Sequence, residues 1–187
     1  MKKNLFNIVI ATTLLSCISV GFADEGDNTT AAPTFYVGTN LGYSSMDIYG
    51  TWNDTSGLGY NLHGGFMFNH NFGFEAGYTQ YANAKAPGGV KYKAYSVDMA
   101  AKGVYQFNNL VSAFGKLGVA NLHGDGNTPG GSSGSKNELA PLFGAGIGYN
   151  VRYNVTINAG LSYVMDGNGQ SDLGNMSLLY AGIDYRF

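Results

Sequence analysis

One cysteine, one tryptophan and four prolines in 187 residues leave this chain with few of the usual structural staples. Charged residues make up only 12%, about half the share of a soluble domain. There is no long apolar run of the kind a membrane-spanning helix needs. Basic residues are also scarce. With Lys2 and Lys3 set aside as part of a leader, eight bases face 12 acids, so no basic footprint for nucleic acid remains.

The leader is the first feature that is present. Residues 1–23 open on Lys2-Lys3, continue through an apolar core and end on Gly21-Phe22-Ala23, the layout of a secretory signal peptide cut after Ala23. That cut removes Cys17, the only cysteine, and with it any disulfide or thiol chemistry. Cys17 follows Leu14-Leu15-Ser16 and resembles a lipoprotein cleavage box, but the apolar run continues past it, so the Ala23 cut is preferred. Residues 24–33 then read as a flexible polar lead-in, and residues 34–187 as one domain.

Glycine (29), tyrosine (14) and phenylalanine (11) fill the composition, and they alternate. In residues 176–187 the positions Leu179, Ala181, Ile183, Tyr185 and Phe187 share one face, while Tyr180, Gly182, Asp184 and Arg186 take the other. The same split recurs around Phe35-Val37-Leu41-Tyr43, Leu58-Tyr60-Leu62-Phe66, Phe72-Phe74-Ala76-Tyr78, Tyr95-Val97-Met99-Ala101, Val111-Ala113-Leu117, Phe143-Ala145-Ile147-Tyr149 and Ile157-Ala159-Leu161-Tyr163. That makes eight strands. Connectors alternate between long ones at 46–57, 82–91, 121–137 and 166–175 and short ones near His70, Asn108 and Tyr153. This is the pattern of an all-β, eight-stranded antiparallel up-and-down transmembrane barrel, with short periplasmic turns, long outer loops and both termini in the periplasm.

A soluble sandwich or lipocalin-like barrel would alternate as well, and charge placement separates the two. Glu75, Asp98, Lys102, Lys116, Asp184 and Arg186 all fall on the Gly/Ser/Asn face. In the opposite register each base would meet lipid at a cost of about 2–4 kcal/mol at mid-bilayer. The six charges sum to zero and are expected to form a lumenal network that plugs a barrel of this width. On the last strand, Ile183, Tyr185 and Phe187 form the face expected to signal assembly.

Phe74-Glu75-Ala76-Gly77-Tyr78, Ala101-Lys102-Gly103-Val104-Tyr105, the run from Pro141 to Tyr149 and Gly182-Ile183-Asp184-Tyr185-Arg186-Phe187 occur in the order that resembles the OmpA-like (OmpX-like) family of eight-stranded outer-membrane barrels. The resemblance implies a Gram-negative outer-membrane protein in contact with lipid and lipopolysaccharide, delivered by the barrel assembly machinery and acting as a monomer. It also implies roles in envelope integrity, adhesion or evasion of host defences. The chain stops at Phe187, so the periplasmic peptidoglycan-binding domain of some members is not carried over. Glu75 and Lys102 match a lumenal salt-bridge switch of the family. Gly148 and Gly160 stand where its further Glu and Arg would fall, so the switch is incomplete.

Other motifs read as structure rather than chemistry. Gly144, Gly146 and Gly148 recur at every second position, which in a strand makes a small-residue face and not a nucleotide loop. Asp166 to Asp172 begins like a calcium loop, but Ser177 occupies its position 12. No cofactor or metal is expected. A lipid A-modifying enzyme needs a histidine placed with a serine on the lipid-facing or extracellular side; His63 points inward, His70 lies in a short turn and His123 lies in the third connector, none of them in a recognisable triad setting. The remaining alternative is a narrow, mostly plugged ion pore. The surface-binding candidates are Lys85, Lys91 and Lys93 in the second connector and Tyr49 and Trp52 in the first, facing host surface molecules or anionic polymers. The Gly/Ser-rich third connector is expected to be mobile.

Overall fold

The computed structural model describes residues 33–47, 56–82, 84–85, 91–127, 133–152, 154–165 and 174–187. The leader, residues 24–32 of the lead-in, Tyr49, Trp52 and residues 166–173 lie outside them. Of Lys85 and Lys91 only the backbone is described.

Every described element is a strand. In chain order they are β1 (Thr34–Asp47), β2 (Ser56–Met67), β3 (Phe72–Gln80), β4 (Ala84–Lys85), β5 (Lys91–Gln106), β6 (Val111–Asn127), β7 (Ser133–Arg152), β8 (Val155–Val164) and β9 (Asn175–Arg186). Neighbours pair antiparallel, β1 also pairs β9, and β3 pairs β5, so the sheet closes on itself. β4 is a two-residue rung on β5 outside this ring, which leaves eight staves. Closure gives each stave backbone partners on both sides, and a spanning sheet in lipid needs that.

Alternation decides which side chain goes where. Leu41, Val97, Met99, Ile147 and Leu179 point outward and are half exposed or more, a wall too apolar for water. The wall has a ring of aromatics near each end. At the short-turn end Phe35 meets Phe66 at 4.8 Å, Phe66 meets Phe68 at 5.1 Å and Phe68 meets Phe74 at 5.5 Å. At the other end Tyr60, Tyr78 and Tyr95 follow one another at 6.5 and 5.6 Å. From Tyr95 to Tyr105, ten residues of β5 at about 3.3 Å each and a tilt of about 40° rise roughly 25 Å, the height of an outer-membrane apolar band.

The short turns use one device twice. Asn69 Oδ1 accepts from the backbone N–H groups of Asn71 and Phe72, and Asn108 Oδ1 accepts from those of Leu110 and Val111. Inside, the small-residue face makes room for large side chains of the neighbouring strands. A Cβ on Gly146 would stand 2.5 Å from the Phe114 ring.

The third connector differs from the sequence reading. β6 and β7 continue as paired strands to Asn127 and Ser133, so most of residues 121–137 is ladder rather than mobile loop. One pairing and one burial hold these polar residues extended. β5 begins early enough to pair β6 up to Asn127, and Leu122 is fully buried inside the barrel.

Candidate functional site

The lumen is organised around Glu75 of β3. Its Oε2 accepts from the Tyr36 hydroxyl at 2.7 Å and from Lys102 Nζ at 3.1 Å, and its Oε1 takes Lys116 Nζ. Lys102 Nζ also lies 4.4 Å from the centroid of the Tyr36 ring. Next to this centre is Asp184, whose Oδ1 accepts from His63 Nε2 and Asn158 Nδ2, both at 2.9 Å, and whose Oδ2 is 3.9 Å from Lys102 Nζ. An amide chain runs onward, with Asn40 donating to Asn61 at 3.0 Å and Asn61 donating to Thr79 at 3.0 Å.

Four of the six inward charges, Glu75, Lys102, Lys116 and Asp184, therefore meet, and the other two do not. Asp98 accepts from the Thr79 hydroxyl at 3.3 Å and has no cation within ion-pair distance among the described residues. Arg186 lies at the short-turn mouth, lining a cavity of about 80 Å³ with Gln106, His70, Lys102 and Asp184. In place of the second acid and the Arg of the resembled switch, Lys116 is a second cation on the same carboxylate. Tyr36, Asn40, Asn61 and Asn158 also belong to the network. Their signal in the sequence is that each is in phase with the Gly/Asn face.

Above the polar layer, toward the long connectors, the lumen turns apolar. Met46, Leu122, Val164, Met176 and Leu178 are almost wholly buried there, with Ala94 and Ala120 between them. An apolar layer thus lies at one end of a polar lumen.

At the outer rim the lysines sit otherwise than as loop residues. Lys91 and Lys93 belong to β5, where β6 and the β4 rung provide backbone partners. Lys85 and Lys91 are direct Cα partners, and exposed Lys93 stands opposite exposed Asp125 of β6. His123 also lies in a strand rather than a loop. Its ring stacks on Tyr95 at 4.8 Å with 8° between the planes, and its Nδ1 is 3.2 Å from the Asn121 carbonyl oxygen. His70 is in the turn between β2 and β3. At the closing seam the Phe187 N–H donates to the Phe35 carbonyl at 2.9 Å, and the Tyr185 and Phe187 rings lie 5.2 Å apart on the outer wall.

An apolar wall between two aromatic rings, a polar lumen, eight antiparallel staves and alternating connector lengths define an eight-stranded outer-membrane β-barrel. The model of the OmpA-like transmembrane domain matches residues 30–187, and the chain belongs to that family. It resides in the Gram-negative outer membrane, with the short turns at the periplasmic end. Neisserial surface protein A is similar at TM-score 0.70 and 22% identity, over 82% of this chain and 97% of that one. Ail of Yersinia pestis, solved with the heparin analogue sucrose octasulfate, is similar at TM-score 0.62 and 22% identity, over 83% and 99%. The outer-membrane enzyme PagL is similar at TM-score 0.52 and 12% identity, over 80% and 98%. In sequence, an uncharacterised protein of Coxiella burnetii is 25% identical over 248 aligned residues, covering 98% of this chain and 100% of that one.

Proposed function

We propose that this barrel is a monomeric, non-enzymatic envelope protein whose activity lies at its extracellular end, where it contacts anionic polymers of host surfaces. The observation that carries this reading is the packing of the lumen. The wall is committed to lipid, the inside is filled by a charge network under an apolar cap, and the outer rim is what remains to meet a partner. At that rim the backbone places Lys85, Lys91 and Lys93 on neighbouring strand positions, with Asp125 opposite Lys93. Ail, which shares the fold, has been solved with a sulfated sugar. In this reading Tyr49 and Trp52 of the first connector are the aromatic alternative, and Ile183, Tyr185 and Phe187 are what the assembly machinery reads.

Replacing Lys85, Lys91 and Lys93 together with Ser is expected to leave a folded, heat-modifiable barrel. Binding of purified protein to immobilised heparin should fall, with the largest loss at low salt. Unchanged binding in this variant and in a Tyr49→Ala/Trp52→Ala variant would remove the surface-binding reading and leave a structural role.

One observation favours a second reading, lipid A modification: His123 stands on the outer wall at the extracellular aromatic ring, and the fold is shared with PagL. Hydrolysis needs a serine hydroxyl beside that ring, whereas the described contacts of His123 are Tyr95 and the Asn121 carbonyl. The lipid A mass profile of cells with and without the protein separates the readings. The surface-binding account expects identical profiles.

A further inference from the structure

Arg186 stands outside the charge balance of the lumen. Glu75 and Asp184 carry two negative charges and Lys102 and Lys116 two positive ones, so the four that meet sum to zero without it. Among the described residues no carboxylate lies within ion-pair distance of Arg186. Asp98, the remaining acid of the six inward charges, is four residues from Lys102 toward the outer end of β5, about 13 Å up the strand, whereas Arg186 is at the short-turn mouth. One positive charge is left over at the periplasmic end.

The strand delivers that charge inward and holds it there. The Arg186 N–H donates to the Asn154 carbonyl at 2.8 Å, and its carbonyl accepts from the Asn154 amide at 2.9 Å. Arg186 shares the inward phase of Asp184 and has Tyr36 as its Cα partner on β1, so its side chain lines the mouth cavity of about 80 Å³ and not the lipid wall. The same cavity is lined by Gln106 of β5 and by His70 of the turn between β2 and β3. Among the described residues neither of these side chains has a hydrogen-bond partner, so both keep an N–H to give. Asp184 lines the cavity too, but its Oδ1 already accepts from His63 and Asn158 and its Oδ2 faces Lys102.

We propose that the periplasmic mouth binds one phosphate group through Arg186, Gln106 and His70. An uncompensated guanidinium beside two further N–H donors is the complement of an oxyanion, and the guanidinium fork fits two of its oxygens side by side. Gln106 and His70 come from other elements and reach the oxygens that the fork leaves, which a tetrahedral phosphate has and a carboxylate lacks. The cavity volume equals that of two to three waters at about 30 Å³ each, room for a single group and not for a sugar or a chain. A cation finds no open carboxylate oxygen there and is repelled by Arg186. The phosphate has two sources of the same chemistry, a soluble periplasmic anion and the headgroup of a phospholipid in the periplasmic leaflet, where the short turns end.

The test uses the full-length protein refolded in octyl glucoside micelles, which carry no phosphate. Arg152 and Arg186 are the only arginines of the chain, so the spectrum of ¹⁵N-labelled arginine Nε–H groups holds two signals. They are assigned with Arg186→Gln or, should that variant fail to fold, with Arg152→Lys. Replacing sodium chloride by sodium phosphate at fixed ionic strength is expected to shift the Arg186 signal to saturation and leave that of Arg152 in place. Gln106→Leu should weaken the apparent affinity about five-fold, because one hydrogen bond is lost. If soluble phosphate moves neither signal, the protein is placed in phospholipid bilayers, where dephasing of the Arg186 guanidinium nitrogens by ³¹P, without dephasing of Arg152, assigns the same site to a lipid headgroup. No saturable shift in micelles together with no ³¹P contact in bilayers, or equal responses from both arginines, leaves Arg186 a solvated rim side chain and overturns the proposal. Saturation that Gln106→Leu leaves unchanged also overturns it, by reducing the site to a lone arginine.

Discussion

Glu75 accepts hydrogen bonds from Tyr36, Lys102 and Lys116 at once, and no other described carboxylate of the lumen holds two lysines. Glu75→Ala leaves two lysines facing one another with no carboxylate between them. Removing one partner of a buried charged set costs about 3–5 kcal/mol, and urea unfolding in lipid should show a loss of that order. Lys116→Met should cost less, because Glu75 keeps Lys102 and Tyr36. Equal and small losses for both variants would mean that water screens the network. At this scale the sequence carried much of the answer. The phase of the alternation places all six strand charges inside. It does not say which of them meet, because Lys116 reaches Glu75 across the lumen from a strand that is not its neighbour, and Arg186 stops at the mouth. Those distances exist only once the ring has closed.

The strands are where alternation is both most informative and most misleading. Eight staves, their faces and their short turns could be read directly, since Phe, Leu, Val and Ile recur at every second position and Asn69 and Asn108 mark the turns. The upper parts of β6 and β7 could not be read, because Gly, Ser and Asn look like loop until β5 and the buried Leu122 hold them extended. The outward register itself is open to test. Met99 lies on the lipid face and is 63% exposed, so Met99→Arg should destabilise the barrel by about 2–4 kcal/mol, measured by urea titration in bilayers. An effect within about 0.5 kcal/mol would mean that the face meets water. At the seam, deleting Phe187 removes the backbone bond to Phe35 and half of the Tyr185–Phe187 ring contact. Heat-modifiable barrel should form far less in that variant than in one lacking residues 24–32, and equal yields would argue against a role for the last aromatic in assembly.

Among the described residues of the barrel, the lumen is packed from its middle to its outer end and keeps a cavity at the periplasmic mouth. Met46, Leu122, Val164, Met176 and Leu178 close the outer half of the lumen, and the ion network fills the middle. Composition hinted at a filled interior through its glycines, but the apolar cap was hidden because its residues come from β1, β6, β8 and β9, and only barrel closure brings them together. The placement of function at the outer rim rests on this packing, so conductance across a planar lipid bilayer is its most direct test. The wild-type barrel is expected to give no current steps above baseline. Regular, voltage-independent steps from the wild type would show a continuous ion path through the cap and contradict the account.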